Sequence, residues 1–188
     1  HTVSGTSLVG GGRIPKPGEI SLAHFGVLFL DELPEFNKNT LEVMRGPLED
    51  GIVTISRINA TLTYPCDFMF VASMNPCPCG YYGDGDRCTC TPSRRLAYIS
   101  KLSGPIMDRI DIQLFVSRVD AKKLVNRKPS ESTEAVAARV LQARQIQKAR
   151  LAEEGIFCNA AMNSRQIEKY CPLSPECRSL LERIIENM

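Results

Sequence analysis

Asp31 and Glu32 stand side by side at the end of the apolar run Val27-Leu28-Phe29-Leu30. Adjacent carboxylates at such a point suit nucleotide hydrolysis. One can hold Mg²⁺, usually through water, while the other orients or deprotonates the attacking water. The plainer reading is two acidic residues that merely close a strand. A second apolar run, Phe68 to Ala72, ends at Ser73-Met74-Asn75-Pro76. A neutral amide at Asn75 can orient water near a γ-phosphate without cancelling the carboxylates; otherwise Asn75 is a turn residue before Pro76. Arg109 precedes a third run, Ile110 to Val116. At a subunit edge its guanidinium could reach a neighbour's γ-phosphate and stabilise transition-state charge. It could equally form a surface ion pair with Asp108 or Asp111, which is worth little.

The other chemistry-bearing group is sulfur. Eight cysteines are present, and four form Cys77-Pro78-Cys79 and Cys88-Thr89-Cys90. Four thiolates can complete a tetrahedral Zn²⁺ shell, with the Gly-rich link between the pairs allowing the chain to turn. The C-x-C spacing is tighter than the usual C-x₂-C, so reduced loop thiols or a chance disulfide remain alternatives. Cys158, Cys171 and Cys177 have no His beside them and read as small core residues or free thiols. His1 and His24 read as structural.

Parallel strands sandwiched between helices would carry these residues to one crevice. The apolar runs at 27–30, 68–72 and 110–116 are the strands, expected to be covered on both faces. Between the first two, Leu41, Met44 and Leu48 mark one helix that stops at Gly51. Ile52 to Ile55 and Ala60 to Tyr64 flank Ser56-Arg57-Ile58-Asn59 as a hairpin. Residues 7–18, rich in Gly and Pro, read as loop, and Glu19 to His24 as a short helix. The resulting β-α-β-β-β-α-β order is an α/β fold with an inserted hairpin. After Val119 the composition changes. Lys128-Pro129-Ser130 reads as a linker, Ser132 to Glu153 as a long helix, and Ser174-Pro175 as a helix start.

The 188 residues, 43% of them apolar, suffice for a core and an appendage. No apolar run nears the roughly 20 residues that cross a bilayer, and no basic-then-apolar leader opens the chain. With the clustered cysteines, this points to a cytoplasmic, reducing setting. A chain that opens on His rather than Met reads as a piece of a longer protein. Net charge is +2, but residues 121–150 carry eight basic side chains against Glu131 and Glu134. That stretch is a solvated helix face or a surface for nucleic acid phosphates.

Three segments together resemble the magnesium-chelatase-like AAA+ proteins of the YifB/ComM family. They are Gly26 to Phe36 around Leu-Asp-Glu-Leu-Pro-Glu-Phe, Met74-Asn75-Pro76-Cys77-Pro78-Cys79-Gly80, and Leu102 to Asp111. Pro17 to His24, Cys158-Asn159-Ala160 and Tyr170 to Leu173 extend the likeness along essentially the whole chain. The resemblance implies an α/β partial AAA+ core over residues 1–120 and a truncated all-helical lid over 121–188. Asp31 and Glu32 become the Walker B pair, Asn75 sensor 1 and Arg109 an arginine finger. The 52–64 hairpin becomes the pre-sensor-1 insertion, with Arg57 near a tip that can face DNA in a central pore. The implied protein is a hexameric ATP- and Mg²⁺-dependent motor acting on DNA, of helicase or branch-migration type in transformation or recombination.

Two departures limit this. No G-x-x-x-x-G-K-[ST] is present; Gly10-Gly11-Gly12-Arg13 lacks the Lys-[Ser/Thr] grip. The family's P-loop lies upstream of His1, and its sensor 2 helix is incomplete at Met188. This chain alone is therefore expected to hold ATP poorly, and a calorimetric titration giving tight binding would refute that. The alternatives are a metal-chelatase ATPase subunit, whose pattern lacks the Met-Asn-Pro-Cys-Pro-Cys-Gly form, and a non-catalytic zinc-bearing piece. A σ54-type activator shares the acidic strand but needs a Gly-Ala-Phe-Thr-Gly-Ala loop that is missing here.

Overall fold

A computed structural model describes residues 4–12, 14–57, 60–116 and 131–187. The chain divides into two compact units, residues 1–120 and 121–188. The linker at Lys128-Pro129-Ser130 and the basic cluster from Lys122 to Lys128 lie outside the described residues.

The first unit is mixed α/β. Strand β3 (Val27–Leu30) pairs in parallel with β6 (Met69–Ala72), Val27 facing Met69 and Leu30 facing Ala72. Between them run two helices and the antiparallel hairpin β4 (Ile52–Arg57) and β5 (Ala60–Pro65). Residues 58–59 and the Arg57 side chain fall outside the description. Only one face of the hairpin is apolar inward. Val53 and Ile55 are buried, whereas Thr54 and Thr63 meet on the outer face, hydroxyl to hydroxyl at 3.2 Å.

Four expectations are corrected. The strands are not covered on both faces: Leu28 and Leu30 are buried, but Val27 and Phe29 are 59% and 57% exposed. Strand alternation sends successive side chains to opposite faces, and the helices of this unit cover only one. Residues 110–116 form no strand, and Ile112, Leu114, Phe115 and Val116 are exposed. Apolar composition does not make a strand without a ladder partner, and none lies beside it among the described residues. The loop expected at 7–18 instead contains helix α1 (Gly5–Val9) and a two-residue antiparallel bridge, β1 (Gly10–Gly11) with β2 (Lys16–Pro17). Ser4 caps α1 by accepting the Ser7 N–H. The single helix between β3 and β4 is two, α3 (Lys38–Glu42) and α4 (Arg45–Asp50). Pro47 explains the break, having no N–H for the Val43 carbonyl and a ring that crowds it.

Other signals act as expected. Short helix α2 (Glu19–Leu22) precedes β3, and Asn37 caps α3 through the Thr40 N–H at 2.7 Å. Gly51 ends α4 with φ 66°, which glycine adopts without a Cβ clash. Leu8, Ile20, Leu28, Leu30, Leu41, Met44, Val53 and Ile55 build the core under the parallel pair, joined by Leu102 and Ile106. Ile106 lies on α6 (Gly104–Met107), which follows α5 (Pro92–Ile99).

The second unit is helical: Thr133–Leu151, Ser164–Tyr170 and Pro175–Glu186. Ser132 caps the first helix and Ser174 the last, with Pro175 in the first turn. Asn163 and Gln166 form a reciprocal capping box on the middle one. The Glu154 carboxylate accepts from Lys169 Nζ at 2.7 Å, Tyr170 Oη at 2.9 Å and Gln166 Nε2 at 3.1 Å. These donors, Lys169 foremost, pull its pKa down to about 2. A depressed carboxyl stabilises the fold above its ordinary value of 4.5 and ceases to do so as pH falls through about 2. Amide exchange across 164–170 should therefore accelerate as pH is lowered from 4.5 towards 2, after correction for intrinsic rates. Glu154→Gln should flatten that dependence. An unchanged profile in the variant would exclude this carboxylate as its source.

Candidate functional site

Parallel pairing makes β3 and β6 leave the sheet at the same end. Asp31 and Glu32 continue from β3, while Ser73 and Asn75 continue from β6. Two backbone bonds tie the exits, Ser73 N–H to the Leu30 carbonyl at 3.0 Å and Leu33 N–H to the Ser73 carbonyl at 2.9 Å. Asp31 Oδ1 accepts from the Ser73 hydroxyl and, at 3.0 Å, from the Glu32 N–H. Both bonds fall on one oxygen of an exposed side chain.

Glu32 has φ 53° and ψ 49°, the left-handed region that non-glycine residues seldom occupy. Phe25 is the other described non-glycine residue there. A Glu in this conformation costs about 1 kcal/mol or more and persists only where surrounding bonds over-determine it. Here the Asp31 carboxylate holds its N–H, and its own carbonyl accepts the Glu35 N–H at 2.8 Å. The turn swings the chain directly into the Leu33–Glu35 helical turn, with Leu33 and Pro34 buried as anchors.

Asn75 is exposed at the end of β6, and its N–H points to the hydroxyl of Tyr98 on α5. Burial, then the Glu35 and Glu32 charges, push the Tyr98 phenol up. Sequence reading missed both Ser73 and Tyr98. Ser73 had a signal, a hydroxyl following the β6 strand opposite Asp31. Tyr98 had none, since only packing brings α5 under Asn75.

Arg109 is placed differently. Its guanidinium meets Glu49 of α4 at 2.6 Å rather than Asp108 or Asp111. Arg45 lies 3.8 Å from the same carboxylate. The side chain of Arg57, the expected pore residue, lies outside the described residues. His24 is structural, its Nδ1 accepting the Asp67 N–H at 3.0 Å and binding the end of α2 to the β5–β6 connection.

The four clustered cysteines converge. Their Sγ atoms all lie within 4.8 Å of one another. Cys77 and Cys90 are buried; Cys79 and Cys88 are partly so. The Tyr81 N–H leads the groups that pull the Cys79 thiol down to about 6, while burial, followed by the Cys79 contact, pushes Cys90 up to about 11. A surface cleft between α1 and α3 is lined by Gly5, Val9, Asn37, Thr40 and Val43 and contains none of these residues.

A parallel strand pair delivering carboxylates, a hydroxyl and an amide to one end, with a hairpin inserted between the strands, defines a mixed α/β protein with a strand-end site. Residues 1–124 match the profile of magnesium chelatase, subunit ChlI, and residues 130–188 that of the ChlI C-terminal region. The chain belongs to this magnesium-chelatase ChlI family. It is 45% identical to YifB of Escherichia coli over 97% of its length, and 43% identical to the competence protein ComM of Haemophilus influenzae over 100%. It spans 35% and 36% of those two proteins. A 70-residue stretch is 30% identical to the magnesium-chelatase 67 kDa subunit of Chlorobaculum parvum, covering 37% of this chain. Among the described residues no helix is long and apolar enough to cross a membrane.

Proposed function

We propose that this chain is the acidic-strand and lid portion of an AAA+ motor that hydrolyses ATP and acts on DNA. The observation that carries the reading is the shared exit of β3 and β6, which gathers Asp31, Glu32 and Ser73 with Asn75 beyond them. An exposed carboxylate oxygen set is the hard donor chemistry that Mg²⁺ prefers, so these residues fit Mg²⁺-ATP. When bound, that group supplies the phosphoryl centre and a cation that neutralises its charge. Asp31, oriented by Ser73, would hold the cation. Glu32 takes the proton of the attacking water at its carboxylate, and the Asn75 amide orients that water. Arg109 serves a neighbouring subunit in a hexamer and must exchange its Glu49 partner to do so. Arg57, on the hairpin, contacts DNA.

The relative named as a competence protein motivates DNA as the substrate, in transformation or recombination. Among the named relatives, the likeness to a magnesium-chelatase subunit is shorter and weaker than that to the competence protein. Eight free thiols accord with a cytoplasmic setting. The test is ATP hydrolysis by the whole protein with and without DNA. Hydrolysis stimulated by DNA is expected; hydrolysis indifferent to DNA, but stimulated by a porphyrin–metal acceptor system, would move the assignment to the chelatase.

A further inference from the structure

The cysteine cluster is not used by the hydrolytic reading, yet it adjoins it. Cys77 and Cys79 each stand 3.8 Å from Cys88 by sulfur, and 3.3 Å from each other. Four thiolates on one Zn²⁺, at about 2.3 Å each, would stand about 3.8 Å apart at the corners of a tetrahedron. A disulfide would instead draw one pair to about 2.05 Å and leave the other two sulfurs without a role. The backbone is shaped for such a shell. Gly80, at φ 80°, closes the turn by donating its N–H to the Cys77 carbonyl at 2.9 Å. The N–H groups of Tyr81 and Thr89 bond Cys79 sulfur, and that of Tyr82 bonds Cys77. Such donors orient ligand sulfur without adding a counter-charge. Four sulfur donors leave no open position, so the ion would be structural.

Asn75 is attached to this knuckle from two sides. Along the chain, only Pro76 separates it from Cys77. Through space, its N–H reaches Tyr98 on α5, a helix whose cap, Thr91, follows Cys90 directly. The Arg95 guanidinium of the same helix donates to the Cys90 carbonyl at 3.0 Å and lies 4.3 Å over the Tyr82 ring. The geometry points to one Zn²⁺ held by Cys77, Cys79, Cys88 and Cys90, which fixes the knuckle and through it sets where Asn75 sits. The value of that placement rests on the proposed role of Asn75, but neither the metal nor the ordering requires hydrolysis.

Zinc is measured by mass spectrometry on chain purified in reductant without a metal-affinity step, and cobalt exchange is followed by absorption. Equimolar zinc is expected, with the charge-transfer and visible bands of tetrahedral cobalt thiolate. Cys79→Ser and Cys88→Ser should lose equimolar binding and Cys177→Ser should keep it. Stripping the metal should accelerate amide exchange at Asn75 and the first turn of α5 while leaving the β4–β5 hairpin protected. Far less than equimolar zinc together with absent cobalt bands overturns the site. Exchange at Asn75 that does not change, or that rises equally across the hairpin, overturns the positioning role. Should either serine variant fail to fold, cobalt titration of the unsubstituted chain still decides the first point. Failure of the hydrolytic reading would leave all these readouts intact.

Discussion

Glu32→Gln should abolish most ATP turnover in the whole protein, by about 10²–10⁴-fold, the usual contribution of a positioned general base. The amide keeps the size of the carboxylate and can still sit in the left-handed turn, whose bonds come from the main chain and Asp31. The fold and nucleotide affinity should therefore persist while the chemical step fails. Steady-state phosphate release and equilibrium ATP binding, measured on the same preparation, separate the two. A variant that hydrolyses at the parental rate would remove Glu32 from the mechanism. Equal loss of binding and turnover would assign it to holding the nucleotide instead.

Leu41→Ala should cost about 2–5 kcal/mol of stability, the range for emptying a fully buried leucine site. Leu41 is 1% exposed and lies in the core with Leu8, Leu33 and Met44. Helix α3 has only five residues and ends where Pro47 prevents its continuation, so it cannot rely on its own hydrogen bonds. Its stability comes from the buried face, and the loss would be a large share of the roughly 5–15 kcal/mol typical of a domain. Val43, on the exposed side of the same segment, serves as control; Val43→Ala should shift stability by about 0.5 kcal/mol or less. Urea unfolding followed by a probe in residues 1–120 checks both. Equal midpoints for the two variants would show that α3 does not depend on this core.

The two predictions depend on different levels of the molecule. The residues proposed for hydrolysis come from a local pattern, an apolar run followed by acidic residues at a strand end. The placement of Leu41 also followed from spacing, since positions 41, 44 and 48 recur at helical intervals, although Pro47 divides that helix. The 110–116 run shows where such reading fails. Its composition is that of a buried strand, yet pairing is a property of two segments, and composition reports on one.

Local chemistry along the chain determined the elements that carry their own signals. The hairpin, the Ser132 and Ser174 caps and the glycine stop at residue 51 follow from nearest-neighbour sterics and hydrogen bonding, whereas the apolar runs of β3 and β6 are strands because they pair with each other. The cysteine spacing likewise announced four candidate ligands, because sulfur donors are recognisable by type alone. Tertiary structure alone decided that Ser73 bonds Asp31, that Tyr98 meets Asn75, that Arg109 pairs with Glu49 and that the four sulfurs share one small volume. Each of these contacts joins residues that the sequence places apart, and strand pairing, helix packing and loop closure bring the partners within reach.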